Sequence, residues 1–237
     1  VGGMTESDTV TERKRLVIVG AGEFAEMAYQ SFTHDSPYEV AAFAAEQRFL
    51  KSDEKFGLPL VPFEHLYESH PPSEYVIHVA ITYTQLNRVR ARLYRAARAL
   101  GYAFASYVSS HAVIWRNATI GDNCFIFENN VIQYHARIGN NVVLWSGSHI
   151  GHRVVVGDHC FLSSHVVVSG YCEIGENCFL GVNSTIGDNV TVARDCIIGA
   201  GAVVLKNTEQ ARIYRGNPAA AADVSSLRAF RVPEDSE

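Results

Sequence analysis

The sequence predicts a mainly β protein of short repeated strands, preceded by a small α/β domain. Three observations carry this expectation. All seven prolines lie outside residues 73–217. Stepping by six from Ile114, sixteen successive positions as far as Val204 are Ile, Leu or Val, without one insertion. Ahead of that stretch, an apolar run at 15–19 leads into Gly-Ala-Gly at 20–22 and then a helical pattern.

The front part is a βαβ alternation. RLVIV at 15–19 is a buried strand, and the helix after the glycines runs to about Phe32. Further strands are expected at 38–43, 59–61 and 75–81. A helix is expected over 84–100, where Leu86, Val89, Leu93 and Leu100 recur at helical spacing. Arg88, Arg90, Arg92, Arg95 and Arg98 spread around its other side and predict a solvated basic face. Glycines in the first turn let main-chain amides at a helix start approach a phosphate. About ninety residues cannot hold a six-stranded dinucleotide domain. The second strand ends Phe43-Ala44-Ala45-Glu46, with no clear acid for a ribose. A nicotinamide dehydrogenase is therefore not expected.

In the repeat, the residue two before each aliphatic is small or medium-sized, from Ala112 and Ala118 to Cys196 and Ala202. Residues two apart on a strand share a face, so both positions point inward. All five cysteines take this small inward position, which makes them buried hydrophobes rather than redox groups or ligands. Glycine follows the aliphatic at eight positions, including 151, 157 and 175, where it would ease a tight corner.

Spacing by eighteen sorts the outward residues. One face carries Phe125, Val143, Phe161, Phe179 and Ile197, too large an apolar patch for a monomer, and it predicts a subunit interface. A second carries Thr119, Arg137, Val155, Glu173 and Thr191. The third is mixed: Val113, Val131, His149, Val167, Thr185 and Val203. Of the corners, that with Asp122, Asn140, Asp158 and Glu176 is ordinary turn chemistry. Another stacks Arg116, Tyr134, His152, Gly170 and Asp188, each with its following residue, and gathers His and Tyr that turns do not require. The last has Glu128, Ser146, Ser164, Val182 and Ala200.

These repeats resemble the hexapeptide-repeat left-handed parallel β-helix, a triangular prism with three hexads per coil; residues 109–204 would supply about five coils. With the Rossmann-like small domain, Gly-Ala-Gly-Ala-Val-Val at 199–204, Lys206 and Gly-Asn-Pro-Ala at 216–219, the chain resembles the bacterial sugar acyltransferases. Those are the bacillosamine- and perosamine-type nucleotide-sugar N-acetyltransferases and the sialic-acid O-acetyltransferases. The resemblance implies a homotrimer that binds a nucleotide-linked amino sugar in the small domain and acetyl-CoA along the prism, reacting between subunits. It implies His152 as general base, within Ser-His-Ile-Gly-His-Arg-Val at 148–154, and Gly170 as oxyanion donor. Spacing agrees, since Gly170 lies eighteen residues on and so one coil above His152. Acetyl-CoA would meet Gly170, Tyr171, Asp188, Ala200, Gly201, Lys206 and Pro218; no metal is implied. The sugar nucleotide would meet Gly20, Gly22, Glu23, Phe24, Thr82 and Arg88, with Tyr134 and His135 near the acceptor.

There are departures from the family pattern. Its GxGGH turn is Gly20-Ala21-Gly22-Glu23-Phe24, its paired acids are Ala44 and Ala45, and its acid beside the histidine is Arg153. Glu128 is a candidate for the missing acid. Alternatives are O-acetylation of a sugar hydroxyl, a γ-class carbonic anhydrase using His135, His152 and His159 (the usual H-x4-H pair is absent), and a non-catalytic scaffold.

Composition fits a globular protein in the cytoplasm. The formal charge of −5 argues against nucleic-acid binding, and no run of eighteen apolar residues spans a membrane. Five cysteines without a CxxC pair make no disulfide framework. Met4 is taken as the native start, with 1–3 a cloning remnant. The expected divisions are a disordered tail at 1–13, the small domain at 14–107, the β-helix at 108–206, and a C-terminal cap with a short helix at 207–237.

Overall fold

The computed structural model describes residues 14–217, 223 and 226–229. The expected tail at 1–13, Pro218 and much of the expected C-terminal cap beyond it lie outside the described residues. Within that last stretch Ser226–Ala229 form one helical turn.

The small domain runs β1 (Lys14–Val19), α1 (Glu23–His34), β2 (Tyr38–Ala45), β3 (Glu54–Lys55), β4 (Leu58–Pro62), α2 (Leu66–Ser69), β5 (Tyr75–Val79) and α3 (Arg88–Ala99). Its sheet has the order β3-β4-β2-β1-β5, parallel except for the β3–β4 hairpin. The near-continuous apolar text of β1 suits a central strand covered on both sides: Leu16, Val17 and Ile18 have no exposure. Helix α3 starts four residues later than expected. Gln85, Leu86 and Asn87 take positive φ and turn the chain before the helix begins.

Eighteen two-residue strands, β6 (Tyr107–Val108) to β23 (Ile213–Tyr214), then build a three-sided prism. Its faces are parallel sheets of six, five and seven strands. Register advances by eighteen residues per coil, as in Val131 opposite His149 and His149 opposite Val167. The prism starts within a residue of the expected 108 and runs past the expected 206. Tyr107–Val108 pairs with Phe125–Ile126, and Ile213–Tyr214 pairs with Ile197–Ile198 beyond an irregular connection. Inside runs one aliphatic column in which Ile150, Leu162, Val168, Leu180 and the cysteines are fully buried. The five thiols are free and buried, as their inward position requires.

Most of the repeat glycines serve coil-to-coil contact rather than an unusual φ. A β-carbon on Gly157 would lie 2.9 Å from the amide nitrogen of Glu176 on the next coil. The left-handed positions are the second residues of the corners. There Asn is frequent, as at Asn123, Asn141, Asn177 and Asn189.

The expected subunit interface on the phenylalanine face is corrected by the structure. Phe125, Val143 and Phe161 are buried within the chain, because the small domain covers this face. Phe24 of α1 packs edge-on against Phe125 with centroids 5.3 Å apart, and Tyr83 lies 5.1 Å from Phe161 and 4.8 Å from Phe179. Burying such side chains stabilises by about 1.5–3 kcal/mol each, and that gain holds the two halves together.

The arginines of α3 form the expected solvated face only in part: Arg92, Arg95 and Arg98 are exposed, whereas Arg88 and Arg90 turn to the prism. Arg90 has no exposure. It donates to the main-chain oxygens of Ile81, Thr82, Asn141, His159 and Cys160 at 2.8–3.3 Å. Arg88 pairs with Asp195 and Arg98 with Asp122, while Arg92 reaches Glu46 at 2.9 Å. Asn87 donates to the oxygens of Asn177 and Cys178. A helical pattern shows only that these residues oppose the apolar stripe. The prism corner carrying Asp122, Asp158 and Asp195 takes up Arg90 through main-chain oxygens and Arg88 and Arg98 through carboxylates.

Candidate functional site

Two places in the chain can do chemistry, and they lie on different sides of the prism. The first is the corner between the five- and six-stranded faces, which stacks Tyr134, His152, Gly170, Asp188 and Lys206 at eighteen-residue steps. His152 is half-buried. Its ring stacks on that of Tyr134, with centroids 5.3 Å apart and planes 15° apart. Tyr171 meets it edge-on at 4.9 Å. Gly170 covers it from the next coil, where a β-carbon would come within 2.5 Å of Cε1 and 2.7 Å of Nε2. Only glycine leaves room for the imidazole at this height.

The second residue of three successive turns here is bulky. His135, Arg153 and Tyr171 sit at φ 56–59°, in the left-handed region that Asn and Gly occupy at less cost. The corner therefore keeps three exposed side chains against backbone preference. His135 is tied to Asn117, whose Oδ1 accepts its amide at 3.0 Å.

Three expectations about this corner need correction. The Gly170 amide is not a free oxyanion donor, because it donates to Oδ1 of Asp188 at 2.9 Å. The same contact recurs at the neighbouring corner, where the Asn140 amide donates to Asp158 at 2.7 Å. Glu128 cannot orient His152 within the chain. It lies on another corner and accepts from the Ser146 hydroxyl at 2.7 Å. Ala200 and Gly201 belong to that same far corner, so the expected acetyl-CoA residues fall into two groups. Tyr171, Asp188 and Lys206 accompany His152; Ala200 and Gly201 do not.

The second place is a cavity of about 470 Å³ at the carboxyl ends of β1 and β2, walled by Gly20, Gly22, Glu46, Phe49, Lys51 and Ile81 among others. It opens beside β1, where the chain crosses from one side of the sheet to the other, the usual ligand position in open α/β sheets. Gly20, at φ 148°, is forced by packing: a β-carbon would meet the Ala80 oxygen at 2.5 Å. Gly22 caps α1 and has open space around it.

Other expected sugar-nucleotide residues do not reach this cavity. Phe24 is buried against the prism, Arg88 is engaged by Asp195, and the Thr82 oxygen accepts from Arg90. Glu23 is exposed on the first turn of α1. Glu46 is the residue that the sequence reading passed over. Strand β2 runs through Ala45, so Glu46 is the first residue beyond it and lines the cavity. Its hydrogen bond from Arg92 holds the carboxyl below the usual carboxylate range. The signal was the unbroken apolar run at 41–45, which continues the strand to that acid.

Among the described residues, no group of three or more His, Cys, Asp or Glu is placed to hold a metal ion. His159 stands on a different corner from His135 and His152, bonded through Nδ1 to Asn141 at 2.9 Å. No helix among the described residues is long and apolar enough to cross a membrane.

The prism of hexads is a left-handed β-helix, and its similarity to the proteins below makes the chain an acyltransferase with hexapeptide repeats. Residues 135–170 and 171–206 match the family described as bacterial transferase hexapeptide (six repeats). The fold is similar to that of a histidine variant of perosamine N-acetyltransferase from Caulobacter crescentus, in complex with CoA and GDP-perosamine. Identity is 25% and TM-score 0.75, over 85% of this chain and 93% of that one. The acetyltransferase domain of PglB from Neisseria gonorrhoeae FA1090 is 22% identical, with a TM-score of 0.77 over 88% of this chain and all of that one. WeeI from Acinetobacter baumannii AYE is 17% identical, with a TM-score of 0.60 over 80% and 93%. No curated protein matches the sequence.

Proposed function

We propose that the protein transfers an acetyl group from acetyl-CoA to the amino group of a nucleotide-linked amino-deoxysugar, with His152 as general base, as a homotrimer in the cytoplasm. One observation carries the reading. The small domain rests on the phenylalanine face and the Asp122–Asp195 side of the prism, whereas His152 lies at the corner between the other two faces. A sugar held in the Gly20–Glu46 cavity cannot meet His152 of its own chain, so the reaction needs a second copy. The six-stranded face beside His152 offers a surface for it, with Val113 at 58%, Val167 at 36% and Val203 at 64% exposure. This replaces the phenylalanine face as the expected contact between copies.

The chemistry is an aminolysis. The sugar nitrogen attacks the thioester carbonyl carbon, His152 takes the proton from nitrogen, the C–S bond breaks, and CoA leaves as a thiolate. The residues present suit the co-substrate. Tyr171 is exposed beside the imidazole, and the Lys206 cation stands three coils further along. At the spacing of neighbouring strands that is about 14 Å, which suits a long arm ending in phosphates. The relative with both ligands bound supports the choice of a nucleotide-linked amine as acceptor.

The test is a panel of nucleotide amino sugars and free sialic acid with acetyl-CoA, following free thiol and the product mass. Thiol release with an N-acetylated nucleotide sugar is expected. Release with only a hydroxyl acceptor, or none, overturns the reading. Sharing between chains is tested by mixing His152→Ala with Gly22→Phe, which fills the open space at the cavity. Each variant alone is inactive, and random trimers regain activity at about a quarter of their sites.

A further inference from the structure

We infer that Tyr134 is the positioning residue for His152, doing by ring contact what a carboxylate beside the histidine would do by hydrogen bond. This rests on His152 being the base. Among the described residues, nothing hydrogen bonds to the His152 ring, and its chain neighbours are Gly151 and Arg153. A histidine χ2 is broad, so an untethered imidazole would turn about its last bond. Here both faces are closed. Tyr134 lies parallel beneath at 5.3 Å and 15°, and the Gly170 backbone lies above with no room for a β-carbon. Tyr171, at 85° to the imidazole, blocks one edge.

Tyr134 is itself held. Trp115 meets it edge-on at 6.4 Å from the coil below, and His135 lies at 76° to it. The series Trp115, Tyr134, His152 and Gly170 thus climbs from coil to coil and fixes the plane of one imidazole. The contact uses the tyrosine ring face, and no hydrogen bond of its hydroxyl enters the argument. Tyrosine at 39% exposure on a prism corner contributes little to the core, so its removal leaves the fold intact.

The experiment compares Tyr134→Ala, Tyr134→Leu and Tyr134→Phe, with His152→Asn as reference, in steady-state acetyl transfer. The expected result is a fall in kcat of about tenfold for Ala and Leu, in line with the loss of an aromatic pair. KM for both substrates stays within about twofold, and Phe restores wild-type kcat. An unchanged kcat in Tyr134→Ala overturns the inference. So does a Phe variant as poor as Ala, or a rise in acceptor KM alone, either of which would make Tyr134 a substrate contact. These outcomes are distinct from failure of the underlying reading, which appears as an active His152→Asn enzyme.

Discussion

Gly170 closes over the imidazole of His152 so tightly that a single added carbon would stand 2.5 Å from Cε1. The φ of Gly170 is one that any residue adopts, so the glycine is there for space. Gly170→Ala is therefore expected to fold normally and displace the ring. Turnover should fall roughly tenfold to a hundredfold, the cost of moving a reacting group by about an ångström. Thermal unfolding beside steady-state kinetics checks this. A variant that turns over normally would mean that the imidazole position is irrelevant.

His152→Ala and His152→Asn should each lower kcat by roughly a hundredfold or more, since the attacking amine then loses its proton to water. CoA affinity, measured by calorimetry, should change little. Near-normal turnover would remove His152 from the chemistry.

Arg90 carries a buried cation with no carboxylate against it, held by five main-chain oxygens. Burial alone pushes its guanidinium down to about 10. Arg90→Leu strands those oxygens and should cost about 3 kcal/mol or more in denaturant unfolding. Arg90→Lys should rescue little, because one ammonium cannot reach oxygens on both sides of the junction. Limited proteolysis near residues 82–87 should quicken in both variants.

Acid should unfold the protein through two histidines away from the proposed chemistry. Desolvation pushes His78 down to about 4, outweighing its bond to the Ala105 oxygen. Desolvation, then Arg95, does the same to His159. In the unfolded chain both titrate near 6.5. Between pH 6.5 and 4 the unfolded chain binds protons that the folded one refuses. Stability is thus full above about 6.5 and falls as pH falls towards 4, by on the order of 3 kcal/mol per imidazole. Denaturation at pH 7.5 and 5 should show the loss in the wild type and much less in His78→Gln/His159→Asn. Equal losses would place the acid lability elsewhere.

The prism was legible because its period is strict: a hexad from Ile114 to Val204 fixes inward positions, faces and corners by counting. Its C-terminal end was not, since Ile213–Tyr214 rejoins out of phase. The phenylalanine column was seen, but an outward apolar stripe has the same pattern whether its own chain or another covers it. His152 under Gly170 followed from spacing, whereas the Asp188 contact to the Gly170 amide did not. The Asp122, Asn140, Asp158 corner carried that signal, Asn140 and Asp158 each accepting from the amide one coil below. Arg90 was missed because its partners are carbonyl oxygens, which every residue possesses and no sequence advertises.

The Arg90 clasp bears on how such proteins diversify. A clasp that grips only peptide oxygens is blind to the letters of the strip it holds, so mutations along that strip can accumulate without loosening it. A front module borrowed from a distant relative would dock on a foreign spiral only if it brought its own guanidinium and aromatic side chains matched to the phenylalanine column. It would seat only at discrete heights, one turn of the spiral apart, so recombination could exchange acceptor preference while the donor rail stays unchanged.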